Sequence, residues 1–199
     1  SSAASDVYKR QYVGSIKHRT ENISVYREGK FVLKSVTYNP AFLKIFDEIV
    51  SNSVDEHRRN PKKLNKLDVL VNQEKGAILV KDNGGIVVER HPAHNEWIPE
   101  LIFSNLKAGS NFDDSEERLV AGTNGVGSTL TNIFSKVFRI KTSDGKKQFS
   151  QKFVNNMTSR EEAEVVKARY KRGFTEIAFI PDFDRFEMKR IDENHMLML

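Results

Sequence analysis

The spacing of apolar and polar residues changes several times along the chain, and each change marks a predicted element. From Ile23 to Tyr38, ISVYREGKFVLKSVTY holds two β-rich runs around Glu28-Gly29-Lys30, which predicts a hairpin. After Asn39-Pro40 the period lengthens. Phe42, Ile45, Phe46, Ile49 and Val50 fall on one helical face, so an amphipathic helix is expected to about Arg59, capped by Asn39 with Pro40 in its first turn. LDVLVN (67–72) and AILVKD (77–82), joined by Gln73-Glu74-Lys75-Gly76, predict a second hairpin that closes on Asn83-Gly84-Gly85. A short helix is expected from Ile98 to Leu106. Residues 107–127 then carry Gly109, Gly122, Gly125 and Gly127 among polar residues, too long and glycine-rich for an ordinary connection and suited to a loop that binds something. Helix 128–135 follows, then strands near 137–142, 148–153 and 174–180, the first two turning at Asp144-Gly145, and a last helix from about Ile191. Helices beside an antiparallel sheet, without regular βαβ alternation, predict an α+β fold.

The first eleven residues, SSAASDVYKRQ, lack both an initiating Met and any apolar period, and are expected to be a mobile arm, a tag or an assembly remnant. Residues 12–199 read as one domain. The closing MLML is apolar and reads as cut rather than finished.

Composition narrows the class. With 199 residues, 38% hydrophobic and 30% charged, the chain can bury a real core, and no apolar run approaches the roughly 18–20 residues of a membrane span, so no membrane partner is expected. The absence of Cys excludes disulfides, cysteine-based zinc sites and cysteine nucleophiles, and fits a reducing interior. The Asn-x-Ser/Thr triplets at Asn22 and Asn156 are therefore read as chance. A formal net charge of +5 is compatible with an anionic partner.

Three clusters could carry chemistry. In EIVSNSVDE, Glu48, Asn52 and Asp55 are spaced by four and three, which places them on one helical stripe with Glu56 beside it, an oxygen-rich set able to hold a water and one Mg²⁺. In VKDNGGI, Asp82 at a strand end can point its carboxylate into a pocket while the glycines let backbone approach a flat ligand. In AGTNGVGSTLTN, glycines immediately before a helix make a phosphate site from free amides and the helix dipole. Ser128 stands where a P-loop requires Lys, and Leu130 where a dinucleotide fingerprint requires Gly, so neither of those motifs applies. Taken alone, each cluster also has an ordinary reading: a solvated helix face, an Asp-Asn-Gly turn, a glycine-rich surface loop. Thr175, opening a strand in RGFTEIAFIPDF, is by itself a routine strand residue. His91 and His94 are separated by Pro92 and lack a third ligand, and the basic runs 58–63 and 167–172 read as solvated charge more readily than as DNA contacts.

In order, E-x-x-x-N on a helix, D-x-G at a strand end, G-x-x-G-x-G before a helix and a Gly-Phe-Thr strand resemble the GHKL ATPase superfamily. Within it, YVGS (12–15), IFDEIVSNSVDE (45–56), IPELIFSNLKAGSNFDD (98–114), GTNGVGSTLTNIFS (122–135) and FTEIAFIPDF (174–183) closely resemble the N-terminal ATPase domain of type IIA DNA topoisomerases, nearest the eukaryotic and large-phage branch. The resemblance covers about nine-tenths of the chain. It implies a two-layer sandwich of helices on a mixed, mostly antiparallel sheet, with ATP and Mg²⁺ as ligands.

It further implies that Glu48 is the general base for the water attacking the γ-phosphate, Asn52 the Mg²⁺ ligand and Glu56 a polar contact beside it. Asp82 would accept from the adenine amino group, with Thr175 assisting through a water. Ser110 and Asn111 would contact ribose and α-phosphate. Gly122, Thr123, Asn124, Gly125, Val126, Gly127, Ser128 and Thr129 would form the lid around the β- and γ-phosphates. In the whole enzyme, ATP would close two such domains into a homodimeric clamp over double-stranded DNA, in the cytoplasm of a prokaryotic or phage-infected cell or in a eukaryotic nucleus. The chain departs from the family pattern where Gly84 and Gly85 are adjacent, one residue short of D-x-G-x-G, and at Thr129, where eukaryotic relatives have Lys. The transducer segment that supplies a further Lys to the γ-phosphate is absent from this sequence. Two alternatives stand beside this reading: another GHKL ATPase of chaperone or mismatch-repair type, which the YVGS and SNFDD segments disfavour, and a non-catalytic nucleotide-binding or interaction module.

Overall fold

The computed structural model describes residues 13–105 and 127–199. The expected arm at 1–11 and most of the expected lid, including Ser110, Asn111 and Gly122 to Val126, lie outside the described residues.

Strands β1 (Arg19–Arg27) and β2 (Lys30–Tyr38) form a separate two-stranded antiparallel sheet. Helix α1 (Pro40–Arg59) follows directly, and its start is built as the sequence predicts. Asn39 Oδ1 accepts from the Phe42 amide at 3.1 Å and Pro40 occupies the first turn. The Asn39 side chain also donates to the carbonyls of Ile16 and Phe186, so one residue both caps the helix and ties it to two distant segments.

A seven-stranded sheet carries the rest. It consists of β3 (Leu67–Asn72), β4 (Ala77–Asp82), β5 (Ser135–Ser143), β6 (Lys147–Val154), β7 (Ser159–Arg160), β8 (Glu164–Lys167) and β9 (Phe174–Pro181). The order is β3-β4-β9-β5-β6-β7, with β8 also pairing β6, and every pairing among the described residues is antiparallel. The expected sheet was mixed, so the correction is that no parallel pair occurs there. Short β7 and β8, which edge β6, had no sequence signal; each is too short to establish a period of two. Helices α2 (Ile98–Ser104) and α3 (Gly127–Ile133) end two residues earlier than expected, in α3 because Ser135 already begins β5. The last helix, α4, spans Glu193–Met198.

The core lies between the helices and one face of the sheet. Alternate residues of the central strands turn inward, and the antiparallel register lines them up in rows across the sheet. Ile78, Phe179, Phe138 and Phe153 form one row, and Val80, Ile177, Ile140 and Gln151 the next. Against them pack Phe42, Ile45 and Ile49 of α1, Phe103 of α2 and Leu130 and Ile133 of α3, all buried. The third row is Asp82, Thr175, Thr142 and Phe149. There the inward face turns polar, and the functional pocket begins.

Candidate active site

Along α1 the inward stripe runs Ile45, Ile49, Ser53, so a hydroxyl replaces the third apolar residue directly above the polar row of the sheet. Ser53 Oγ donates to Asp82 Oδ2 at 2.6 Å, and the Gly84 amide donates to Asp82 Oδ1 at 2.9 Å. Thr175 Oγ1 donates to the Gly84 carbonyl at 2.8 Å and lies 2.9 Å from Thr142 Oγ1, which accepts from the Ile86 amide at 3.1 Å. Asp82, Ser53, Thr142 and Thr175 are all buried. Burial pushes the Asp82 carboxyl above the usual carboxylate range, with the bonds from Ser53 and Gly84 opposing the shift.

The adjacent glycines after Asp82 find their reason here. A Cβ on Gly85 would stand 1.9 Å from the Ser143 carbonyl oxygen, and one on Gly173 would stand 2.8 Å from the Gly85 amide nitrogen. The loop therefore lies backbone against backbone on the β5–β6 turn. Asp144 of that turn reaches back to accept from the Val88 amide at 3.0 Å. The loop one residue short of the family pattern thus still closes, with both oxygens of Asp82 accepting hydrogen bonds.

The other end of the pocket is built on helix surfaces. Glu48 and Asn52 leave α1 one turn apart toward the start of α3. Asn52 Nδ2 donates to Ser128 Oγ, so its Oδ1 is the group left to serve as a hard oxygen ligand. A Cβ on Gly127 would lie 1.7 Å from Glu48 Oε2, so this carboxylate occupies the notch that glycine leaves. Lys44 Nζ holds Glu48 Oε1 at 2.6 Å. Glu56 pairs with Arg59 and with Lys63 at the rim.

Glu48, Asn52, Glu56, Asp82, Ser128 and Thr175 line one cavity of about 200 Å³, with apolar walls that include Ile49, Val80, Ile102 and Ile177. Of the other described candidates, Gly127 contacts Glu48, while Thr129 is fully buried and donates to the Asn105 carbonyl at 3.3 Å. Among the described residues no three His, Cys, Asp or Glu side chains cluster closely enough to hold a metal. The donor set at Asn52 fits Mg²⁺ in the manner of phosphate-dependent sites, where one or two protein oxygens suffice because ligand phosphates and waters complete the octahedron. Sequence reasoning missed Ser53 and Thr142. For Ser53 a signal existed, a polar residue at the spacing of the buried stripe; for Thr142 none did, since only strand register brings it to Thr175.

No family model matches the chain. It is 38% identical over 191 residues to DNA topoisomerase 2 of Pisum sativum, covering 94% of this chain and 13% of that protein. Identity to the DNA topoisomerase 2 of Acanthamoeba polyphaga mimivirus is 38% over 196 residues, 94% of this chain and 15% of that one. The chain thus spans about one-eighth to one-seventh of the length of these curated relatives. Among solved structures, the ATPase region of Saccharomyces cerevisiae topoisomerase II superposes with a TM-score of 0.85 at 34% identity, over 97% of this chain and 53% of that one. The 43K ATPase domain of Thermus thermophilus gyrase B, solved with an aminocoumarin, gives 0.62 at 25% identity over 79% of this chain and 38% of that one.

Proposed function

The chain belongs to the type IIA DNA topoisomerases, as their N-terminal GHKL ATPase domain, and from that premise we propose that it binds ATP with Mg²⁺ and hydrolyses it. The observation that carries this reading is the single cavity with an acid at each end: Asp82 on the polar row of the sheet and Glu48 against Gly127 at the start of α3.

At the first end, Asp82 accepts from an adenine amino group. Its two oxygens are already oriented by Ser53 and Gly84, so little rotational freedom is lost on binding. Thr175 and Thr142 fix the Gly84 loop against which the base lies. At the second end, Asn52 offers its amide oxygen to Mg²⁺, which when bound neutralises phosphate charge. Glu48 holds the attacking water and takes its proton, and Ser128 with the lid amides before it surrounds the phosphates. Phosphoryl transfer asks the protein mainly for position and charge, which this arrangement supplies.

In the whole protein, we further infer, ATP closes two such domains of a homodimer over double-stranded DNA and so drives passage of one duplex through another. Its place is then wherever the genome lies, the cytoplasm of a prokaryotic or phage-infected cell or a nucleus. Calorimetry with a non-hydrolysable ATP analogue and Mg²⁺ tests the binding step. One site per chain is expected; no heat and no thermal shift at saturating analogue would refute the reading.

A further inference from the structure

Lys44 lies one turn before Glu48 on α1, outside every motif described above. Its Nζ is 2.6 Å from Glu48 Oε1, with the lysine side chain 45% exposed and the glutamate 17%. Helix stability does not account for the pair. A partly exposed i,i+4 ion pair is worth about 0.3–0.5 kcal/mol, and lysine preceding glutamate is the weaker of the two orders because each charge faces the unfavourable end of the helix dipole.

The geometry around the carboxylate supplies the reason. Glu48 Oε2 sits in the notch at Gly127, 1.7 Å from where a Cβ would stand, at the first residue of α3. The oxygens are thereby made unequal: one is held by an ammonium near solvent, the other is turned to the helix start beside Ser128, which lines the pocket. We propose that Lys44 is a positioning residue for hydrolysis, anchoring Oε1 so that Oε2 alone faces the attacking water. The hydrogen bond to Glu48 also raises the Lys44 pKa, ahead of the opposing effect of burial, so the anchor stays a donor. The proposal rests on the reading of Glu48 as general base.

The test compares K44M, K44R, E48Q and the double variant K44M/E48Q in the intact natural polypeptide, by steady-state ATP turnover and by calorimetric affinity for a non-hydrolysable ATP analogue. Misplacing a catalytic group by about an ångström costs up to about 10²-fold, so K44M should lower kcat about tenfold or more, with KM and analogue affinity within about twofold. K44R, which keeps a cationic donor at the end of a long side chain, should recover most of the loss. In the E48Q background K44M should add nothing, since the residues act as one unit. Lys44 is half exposed, so the thermal midpoint of K44M should match that of the parent. If E48Q abolishes turnover while K44M stays within twofold of the parent, adds its full loss to E48Q, or weakens analogue binding as much as kcat, the positioning role is overturned and the base stands. If E48Q turns over normally, both fall.

Discussion

The two ends of the pocket are built on opposite plans. At the Asp82 end the functional groups are buried, carried on strands, and bonded to one another: Ser53 and Gly84 to Asp82, Thr175 to Gly84, Thr142 to Ile86. At the Glu48 end the groups stand on helix surfaces, and ion pairs at the solvent edge hold them. The first plan suits recognition, because a rigid acceptor rejects a ligand lacking the matching donor. The second suits chemistry, because charges must meet a reacting group and a metal that come and go. The same device, a glycine where no Cβ fits, serves both: Gly85 lets backbone meet backbone, whereas Gly127 lets backbone meet a flexible carboxylate.

The largest expected effect separates rate from binding. Glu48→Gln should lower turnover by about 10²-fold or more, the usual scale for losing acid–base assistance, and leave analogue affinity nearly unchanged. Turnover and calorimetry on the same preparations check it, and a parallel loss of both would make Glu48 part of the recognition end instead.

Asp82→Asn should do the reverse, weakening the analogue about 10- to 100-fold, the scale of a lost charged hydrogen bond. Stability should not fall. A carboxyl whose folded pKa is raised contributes stability that is present below its unfolded pKa and lost as pH rises through the folded one, so ionised Asp82 is a cost at neutral pH. Analogue affinity, which needs the ionised acceptor, should decline on acidification at a higher pH than an ordinary Asp would give, and the Asn variant should lack that decline. Titrating affinity against pH in both proteins decides the matter.

The two glycines sharpen the contrast. Gly85→Ala drives a methyl into the Ser143 carbonyl, which cannot yield without moving β5, and should cost about 1–3 kcal/mol of stability by denaturant unfolding. Gly127→Ala meets only the end of the Glu48 side chain, so the carboxylate should swing away. Turnover is then expected to drop about tenfold with the unfolding midpoint little changed. Equal stability losses in the two variants would contradict the contrast. The smallest effect is expected for Thr142→Val, which leaves the Ile86 amide without its acceptor and should cost about 1–2 kcal/mol, again by denaturant unfolding.

What could be read from the chain was whatever depends on neighbours in sequence. The period of Phe42, Ile45 and Ile49 defined α1, Asn39-Pro40 marked its start, and the four- and three-residue spacing put Glu48, Asn52 and Asp55 on one stripe, because helix geometry converts spacing into direction without help from the rest of the fold. The central strands were equally legible, since alternation along Phe174–Pro181 is a local property. The family resemblance named Asp82 and Thr175, but no local rule joins them. They are partners because β4 pairs with β9, and Thr142 enters the same row because β9 also pairs with β5. Register between strands far apart in sequence depends on the packing of a whole sheet face, in which a slip of one residue would turn every side chain over. In the same way, only the docking of α3 on α1 shows that Gly127 is needed for Glu48, and only the β5–β6 turn shows why Gly84 is followed at once by Gly85. Spacing along the chain thus determined which groups each element carries and toward which side. The close approach of one backbone to another decided which of those groups meet.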